Sequence, residues 1–212
     1  MIEKIVGRLK LSEDSLILNV GSGSSVVIEN HLDNFGCSYI SDRVDIENCR
    51  VKHVKAGKCH NQSVETMGLV DSDKYNLAFS NFVLEHVRNV DMASREIFRV
   101  LKKRGYFIFT VPNPLAPEFL FSRLTNVGVH KKVKGVEKCW PTFYNYKNIY
   151  NLVGMFEAAG FKTEEVKFFP AVFTYFYKYP ILNILAKAYD IIVGRLGFRI
   201  LQGHVCLSFK KL

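Results

Sequence analysis

Cysteine is scarce in this sequence and shows no recognisable pairing. The five cysteines stand apart from one another, and none belongs to a Cys-x-x-Cys pair. Structural zinc sites and disulfide-stapled small domains both need clustered or regularly spaced cysteines. We therefore expect neither a zinc site nor a disulfide framework, and we expect a protein of a reducing, cytoplasmic compartment.

Long apolar runs are also missing. No run of about eighteen uncharged apolar residues, the length needed to cross a bilayer, occurs in the chain. The first residues, Met1 to Lys4, do not open the apolar core of a signal peptide. The length of 212 residues and the 48% hydrophobic content fit one globular domain. The short lead before the first strand leaves open that this domain was cut from a larger multidomain protein.

Acidic residues are outnumbered by basic ones. Twenty Asp and Glu face 29 Lys and Arg, which gives a formal net charge of +9. Basic residues concentrate at 99–104 and 130–138. Such a charge either keeps exposed faces solvated or attracts a polyanion, a phosphorylated substrate or an anionic membrane surface. Since no nucleic-acid-binding signature is present, we expect no nucleic-acid partner.

Apolar segments with the periods of strands and helices alternate along the chain. Strands are predicted at 15–20, 38–41, 51–55, 76–80, 106–111, 162–169 and 204–210, and helices at 2–10, 26–35, 91–101, 146–159 and 181–196. This alternation predicts right-handed βαβ crossovers and a parallel sheet, and therefore the α/β class. The nearly unbroken apolar run 106–111 is typical of a strand buried on both faces.

Three segments carry the most specific information. An apolar strand runs into Gly21-Ser22-Gly23, where glycine permits a sharp turn and lets a ligand approach the backbone. The segments 75–87 and 95–113 follow it. In this order and spacing, the three segments resemble the class I S-adenosylmethionine (SAM) dependent methyltransferases, in particular the type 11 group.

The resemblance implies a Rossmann-like sheet of seven strands, mostly parallel with a reversed last strand, in one SAM-dependent methyltransferase domain over 1–212. The insertions at 114–145 and 170–202 are expected to form helical covers over the substrate. An apolar stripe is predicted in the second insertion, at Ile181, Leu182, Leu185, Tyr189, Ile192 and Val193. Because charged residues interrupt it, this helix is expected to pack on the domain as a lid or, alternatively, to lie in a membrane interface without spanning it.

The family likeness also assigns cofactor-binding residues at the strand ends. Gly21, Ser22 and Gly23 would approach the amino-acid half of SAM. Asp42, at the predicted end of the second strand, would accept both ribose hydroxyls, as acidic residues do in dinucleotide-binding folds. Asp45 takes this role if the second strand is longer than predicted.

Adenine recognition departs from the family pattern. The family has an acidic residue after the third strand, where this chain aligns Ser63, followed by Val64. Ser80, Asn81 and Phe82 end the fourth strand and would lie beside the sulfonium. The missing acidic residue is why a non-catalytic binding module with this fold is one alternative.

His86 is the candidate general base. Methyl transfer to an alcohol oxygen needs the hydroxyl proton removed, and histidine titrates near neutral pH. A structural role in ordering the loop is the alternative, with Glu85, His130 and Tyr144 as other candidate bases. No cluster with metal-ligand spacing occurs, so no metal is expected.

The segment 139–146 is the candidate acceptor surface. Trp140 and Tyr144 offer flat faces that stack on sugar rings, and His130 lies in the basic stretch before them. Such a segment after Val-Pro-Asn resembles methyltransferases found among polysaccharide-building enzymes. The expected activity is SAM-dependent O-methylation of a sugar hydroxyl in a glycan or glycolipid precursor. Methylation of a lipid or quinone-like small molecule is the alternative that the apolar second insertion favours.

Overall fold

The computed structural model describes residues 2–9, 11–21, 23–124, 140–176 and 178–212. The strands are β1 (Leu16–Val20), β2 (Ile40–Asp45), β3 (Ala56–Asn61), β4 (Tyr75–Asn81), β5 (Leu101–Pro112), β6 (Phe161–Phe169) and β7 (His204–Lys211). The α-helices are α1 (Ile2–Leu9), α2 (Val27–Asn34), α3 (Val90–Val100), α4 (Pro117–Leu124), α5 (Ile149–Ala158) and α6 (Pro180–Leu196). Short 3₁₀ helices span Leu84–His86, Val172–Tyr175 and Arg199–Leu201.

All seven strands belong to one sheet, in the order β3-β2-β1-β4-β5-β7-β6. The first five are parallel, while β7 runs antiparallel to both β5 and β6. The strand order reverses direction between β1 and β4, which is where ligands bind in open parallel sheets. The predicted Rossmann-like methyltransferase sheet with a reversed last strand is confirmed.

Helices cover both faces of the sheet, which explains the unbroken apolar runs in its central strands. On one face Phe107 and Phe109 of β5 stack with Phe156 of α5 and Phe209 of β7, with ring centroids 4.8 to 5.7 Å apart. On the other face α1 and α2 pack Ile5, Val6 and Leu32 against the alternate residues of the strands. Both faces of the sheet are thus covered by packed helices, and a functional site has to lie at the ends of the strands.

Two strand predictions were wrong in their bounds. The second strand reaches Asp45 rather than ending near Asp42, and the third lies at Ala56–Asn61 rather than 51–55. The interior of β2 contains Asp42 and Arg43, whose charges are both compensated by residues from distant elements. The third strand is an edge strand with little apolar character. Neither feature has a local apolar pattern that predicts a strand.

The scattered cysteines, which argued against a disulfide framework, nevertheless include one bonded pair. Cys49 and Cys59 form a disulfide between the loop after β2 and β3, with their Cα atoms 5.6 Å apart. The two cysteines are brought together by the pairing of β3 with β2, which the spacing of the cysteines does not show. Cys37 and Cys206 are thiols.

The second insertion folds as a 3₁₀ helix, Val172–Tyr175, followed by α6 and a second 3₁₀ helix. The carboxylate of Asp190 in α6 accepts hydrogen bonds from the amides of Val172 and Phe173 at 3.1 and 2.9 Å. Asn183 donates to the Phe173 carbonyl oxygen at 2.9 Å. Within the described parts of the chain, no helix is long and apolar enough to cross a membrane.

Candidate active site

A cleft opens at the carboxyl ends of β1, β2 and β4. Its cavity has a volume of about 460 Å³, within the range of small-molecule sites. The walls are formed by Gly21, Val44, Asp45, Ile46, Gln62, Ser63, Val64, Glu65, Phe82, Val83, His86, Val87, Arg88, Trp140, Pro141 and Phe143. The cleft therefore combines the strand ends of the sheet with the C-terminal end of the first insertion.

The glycine turn after β1 forms one wall of the cleft. Gly21 has φ +69°, and a Cβ atom there would collide with the side chain of Val83. Gly23 has φ +50° with open space where a Cβ would stand. Its amide donates to Asp45 Oδ2 at 2.7 Å. Ser22, the middle residue of the predicted loop, lies outside the described residues.

A buried ion pair lies beneath this turn. Arg43 of β2 contacts Glu29 of α2, and both side chains are almost inaccessible to solvent. Arg43 also donates to the carbonyl oxygens of Gly23, at 3.3 Å, and of Ser25. Asn19 donates to Glu29 Oε1 at 2.9 Å. The pair thereby holds the backbone of the turn against the sheet. The pairing of Arg43 with Glu29 could not be predicted from the sequence, because only the fold brings the two residues together.

Asp42 does not face the cleft, which corrects the predicted ribose partner. Asp42 lies level with Leu18 in the middle of β1, two residues before the strand end. Its carboxylate accepts hydrogen bonds from the Lys58 amide at 2.7 Å, from Lys74 Nζ at 3.0 Å and from the Tyr75 hydroxyl at 2.9 Å. Burial raises the pKa of Asp42, but these hydrogen bonds outweigh it and lower the pKa below its usual range. Asp42 is a structural carboxylate.

Asp45 occupies the position at the end of β2 and lines the cavity. Besides the Gly23 amide, its carboxylate accepts a hydrogen bond from the Glu47 amide at 2.9 Å. Each carboxylate oxygen has further lone pairs, so Asp45 can still accept hydrogen bonds from a ligand. The alternative that the sequence assigned to a longer second strand is therefore the one that the structure places at the cleft.

Of the residues predicted to contact the adenine and the sulfonium, some line the cavity and others do not. Ser63 and Val64 line the cavity, and Ser63 Oγ accepts a hydrogen bond from the Glu65 amide at 3.2 Å. Ser80 is buried and does not line the cavity, and Asn81 is exposed at the strand end. Instead, Phe82 and Val83 reach the cavity from this strand end, because the backbone turns at Phe82, which has φ +55°.

His86 lies on the cavity wall, at the end of the 3₁₀ helix after β4. Its Nδ1 is 2.8 Å from the carbonyl oxygen of Pro141, and its Nε2 is 3.9 Å from Glu85 Oε1. Glu85 is buried, with 4% of its surface exposed. The imidazole is thus oriented by a backbone carbonyl on one side and faces a carboxylate on the other.

The 140–146 segment closes the cleft opposite the sheet. Trp140, 44% exposed, and Phe143 both line the cavity, and the Phe143 amide donates to the Glu85 carbonyl oxygen at 2.8 Å. Arg88 lies over the Phe143 ring, 5.2 Å from its centroid. Tyr144 is half-buried and packs on Tyr146 of the core rather than lining the cavity. His130 lies outside the described residues.

The comparisons with known proteins agree on one family. A family profile described as a methyltransferase domain matches residues 2–166. The chain belongs to this methyltransferase family. No curated protein matches the sequence, so the relatives come from solved structures.

Several solved methyltransferases share the fold. An S-adenosylmethionine dependent methyltransferase from Mesorhizobium loti is 17% identical, with a TM-score of 0.59 over 100% of this chain and 98% of the other. A protein from Listeria monocytogenes, described as a candidate S-adenosylmethionine dependent methyltransferase, is 15% identical, with a TM-score of 0.60 over the whole of both chains. Geranyl diphosphate C-methyltransferase from Streptomyces coelicolor, solved with S-adenosyl-L-homocysteine, is 11% identical. Its TM-score is 0.62, over 99% of this chain and 79% of the other. The predicted identification as a SAM-dependent methyltransferase is confirmed at the level of family and fold.

The cleft of this methyltransferase fits SAM in chemistry and shape. The Gly21 position admits no side chain, so the turn presents bare backbone where an amino-acid moiety would lie. Asp45 offers a carboxylate for hydroxyl groups, and Ile46 and Val64 offer apolar surface. In the described parts of the chain no group of three or more potential metal ligands occurs. The sequence missed Val83 and Phe143, whose apolar side chains look like core residues until the fold places them at the cavity.

Proposed function

We propose that this protein is a SAM-dependent O-methyltransferase that methylates a sugar hydroxyl of a glycan or glycolipid precursor. The observation that carries the proposal is the hydrogen bond of His86 Nδ1 with the Pro141 carbonyl oxygen on the cavity wall. Because a carbonyl oxygen only accepts, Nδ1 carries the proton, and Nε2 is the basic nitrogen of the neutral ring. The cleft thus offers a base beside the glycine turn.

SAM, when bound, supplies an electrophilic methyl group and leaves as S-adenosylhomocysteine. In the proposed reaction the acceptor oxygen forms the new bond to carbon while its proton passes to His86 Nε2. Glu85, with Oε1 3.9 Å from that nitrogen, stabilises the imidazolium that results. Asp45 and the turn at Gly21 would hold the ribose and the amino-acid part. Ser63 and Val64 would meet the adenine.

The rim of the cleft supports a sugar acceptor. The exposed indole of Trp140 presents a flat apolar surface at the cavity, next to the ring of Phe143 in its wall. Such faces stack on the apolar face of a sugar ring while its hydroxyls stay hydrogen-bonded. The insertions 114–145 and 170–202, the proposed substrate cover, are the segments that would complete this acceptor site, with His130 as a further candidate contact.

The alternative acceptor is a lipid or quinone-like small molecule. The observation that favours it is the aliphatic surface of α6, where Ile181 and Ile184 are exposed. Peripheral contact with a membrane surface belongs to both versions, because a glycolipid precursor is itself a membrane component. We also propose a cytoplasmic location, which the thiols of Cys37 and Cys206 support. The Cys49–Cys59 disulfide favours an oxidising compartment instead. Thiol titration of freshly isolated protein distinguishes the two locations, because it shows whether this disulfide is formed.

The test combines calorimetry with acceptor screening. The intact protein is expected to bind SAM and to transfer labelled methyl groups to a member of a panel of mono-, oligo- and lipid-linked saccharides. His86→Ala should lower turnover by about 10²- to 10⁴-fold, the usual contribution of a positioned base, with SAM affinity nearly unchanged.

His31→Ala is the matched control, since His31 is exposed on α2 and does not line the cavity. It should leave turnover unchanged. If His86→Ala keeps more than about a tenth of the activity, the base is elsewhere, and His130 is the next residue to replace. Absence of SAM binding by the intact protein would leave only the non-catalytic binding module.

A further inference from the structure

Helix α6 turns an aliphatic face toward solvent. We define this aliphatic face by Ile181, Ile184, Leu185, Ile191 and Ile192, which are 77%, 67%, 62%, 54% and 56% exposed. Leu196 at the helix end and Phe198 and Ile200 after it continue the face and are also more than half exposed. Soluble proteins rarely expose large contiguous apolar patches without a binding function.

The orientation of the helix is set by the residues on its inner side. Ala186, Asp190 and Val193 are buried, at the spacing of one helix face. Both carboxylate oxygens of Asp190 are bonded to the amides of Val172 and Phe173. Rotating the helix to bury the isoleucines would break these two hydrogen bonds. The hydrogen bonds of Asp190 therefore keep the aliphatic face turned toward solvent. The expectation that the apolar stripe packs on the domain is wrong for Ile181, Leu182, Leu185 and Ile192, all of which are exposed.

The charges around the aliphatic face have one sign. Lys178, Lys187, Arg195 and Arg199 are exposed, and Asp190, the sole acidic residue in the sequence of 170–203, is buried. An aliphatic face with a basic rim matches an anionic bilayer, where apolar side chains enter the acyl boundary and cations meet headgroup phosphates. A second copy of this chain fits poorly, because a two-fold contact would bring the same cations of both copies together.

The aliphatic face is connected to the cleft through packed side chains. Asp190 holds the 3₁₀ helix that carries Tyr175, and the Tyr175 hydroxyl lies 3.4 Å from His204 Nε2. The ring of His204 packs against Phe82, with centroids 4.7 Å apart. Phe82 lines the cavity. One set of contacts therefore joins helix α6 to the wall of the cleft.

We propose that the aliphatic face of α6 lies flat on an anionic lipid surface, and that the protein takes its acceptor from that surface as a lipid-linked molecule. The acceptor part of this inference rests on the proposed methyltransferase function, while the binding of lipid does not. The charges of Lys187 and Arg195, both exposed on the helix, keep it at the interface and prevent it from spanning the bilayer.

Flotation with vesicles tests the membrane contact. The probes are vesicles of phosphatidylcholine alone and of phosphatidylcholine with phosphatidylglycerol, at low salt and at high salt. The protein is expected to float with the anionic vesicles. Ile184→Gln combined with Ile191→Gln should weaken this binding by about tenfold or more, since two buried aliphatic side chains are lost. Val54→Gln with Leu69→Gln, exposed apolar residues outside the aliphatic face, should not.

Two charge-reversal double variants distinguish binding through the basic residues around the aliphatic face from the general attraction of a chain of net charge +9 to anionic lipid. Lys187→Glu with Arg195→Glu should weaken binding several-fold more than Arg95→Glu with Lys103→Glu, which changes the net charge equally at exposed sites elsewhere. The proposal would be overturned if the two charge-reversal variants weakened vesicle binding equally, or if the isoleucine replacements left vesicle binding unchanged. So would failure to float at low salt, or a dimer in sedimentation experiments that the isoleucine replacements dissociate.

SAM calorimetry on the same variants keeps this inference apart from the proposed function. All four double variants should bind SAM as the intact protein does, because their residues do not line the cavity. Normal SAM binding without flotation refutes the membrane contact alone. Flotation without SAM binding refutes the proposed function and leaves the lipid surface. If both hold, a lipid-linked saccharide in anionic vesicles should be methylated faster by the intact protein than by the isoleucine variant, and an equal rate would refute the delivery of acceptor from the bilayer.

Discussion

The carboxylate of Asp45 accepts a hydrogen bond from the amide of Gly23, with Oδ2 2.7 Å from the nitrogen. This contact ties the end of β2 to the glycine turn after β1. The register of the two strands explains it, because Val20 pairs with Val44 while Asp42 pairs with Leu18, deeper in the sheet. Only the later carboxylate is at the edge where a ligand binds.

The two carboxylates of β2 should therefore respond differently to replacement. Asp45→Ala is expected to weaken SAM binding by roughly tenfold to a hundredfold, the loss of one charged hydrogen-bond partner worth ~1.5–3 kcal/mol. Asp42→Asn should leave SAM affinity within about twofold and lower the free energy of unfolding, because it removes the charge that Lys74 pairs with. Isothermal calorimetry and urea unfolding measure the two effects. The reverse pattern would restore Asp42 as the ribose partner.

The buried pair of Glu29 and Arg43 should be sensitive to the loss of one partner. Glu29→Gln leaves the guanidinium of Arg43 without its counter-charge in a dry site, which typically costs ~3–5 kcal/mol. Urea unfolding should show a loss of this order. Arg8→Ala breaks the exposed pair with Glu164, in which the Arg8 side chain is 48% exposed, and should cost under about 1 kcal/mol. Similar losses for the two variants would mean that the buried pair contributes no more than a surface one.

Glu118 of α4 should make the protein less stable as the pH rises. Its two carboxylate oxygens are buried next to Gly203 and have no hydrogen-bond partner in any other described residue. Burial raises the pKa of Glu118 above its ordinary value; a hydrogen bond from its own backbone amide offsets part of this rise, and the charge of Asp190 adds a smaller increase. A raised pKa in the folded state means that the stabilisation is complete below the unfolded pKa of about 4.3 and is lost as the pH rises through the folded pKa.

Glu118→Gln removes this titration while keeping the shape of the side chain. The variant should match the intact protein near pH 4 and exceed it in melting temperature at pH 7 to 8, with the difference growing between these limits. Thermal unfolding followed by circular dichroism over this pH range gives the comparison. Glu164→Gln, on the exposed side of β6, serves as a control whose effect should be small. A melting temperature difference that is constant with pH would contradict the assignment of an unpartnered carboxyl.

Much of the architecture could be read from the chain. The alternation of strand and helix periods predicted the parallel sheet, and the glycine turn after β1 together with the segment through His86 predicted where the cleft opens. These features are local: a glycine turn after an apolar strand, or an apolar run buried on both faces, has its own composition. The loose bounds of β2 and β3 show the limit, since charged residues compensated by distant partners conceal a strand.

Which side chain faces the cleft was decided by contacts between distant elements. The choice of Asp45 over Asp42 depends on the register of β1 and β2, and the orientation of His86 depends on Pro141, 55 residues away. Neither register nor long-range pairing has a period in the sequence. Strand ends can therefore be predicted only to within a few residues, and a shift of that size changes which carboxylate meets the ligand.

The sequence by itself determined the family, the order of elements and the amphipathic character of α6. The tertiary structure decided which side of that helix is solvated. Helical periodicity says which residues share a face, but the bonds from Asp190 to the 3₁₀ helix select the side that packs. Four apolar residues expected in the interior are outside for this reason, since the two hydrogen bonds of a buried carboxylate cannot be replaced by apolar contact.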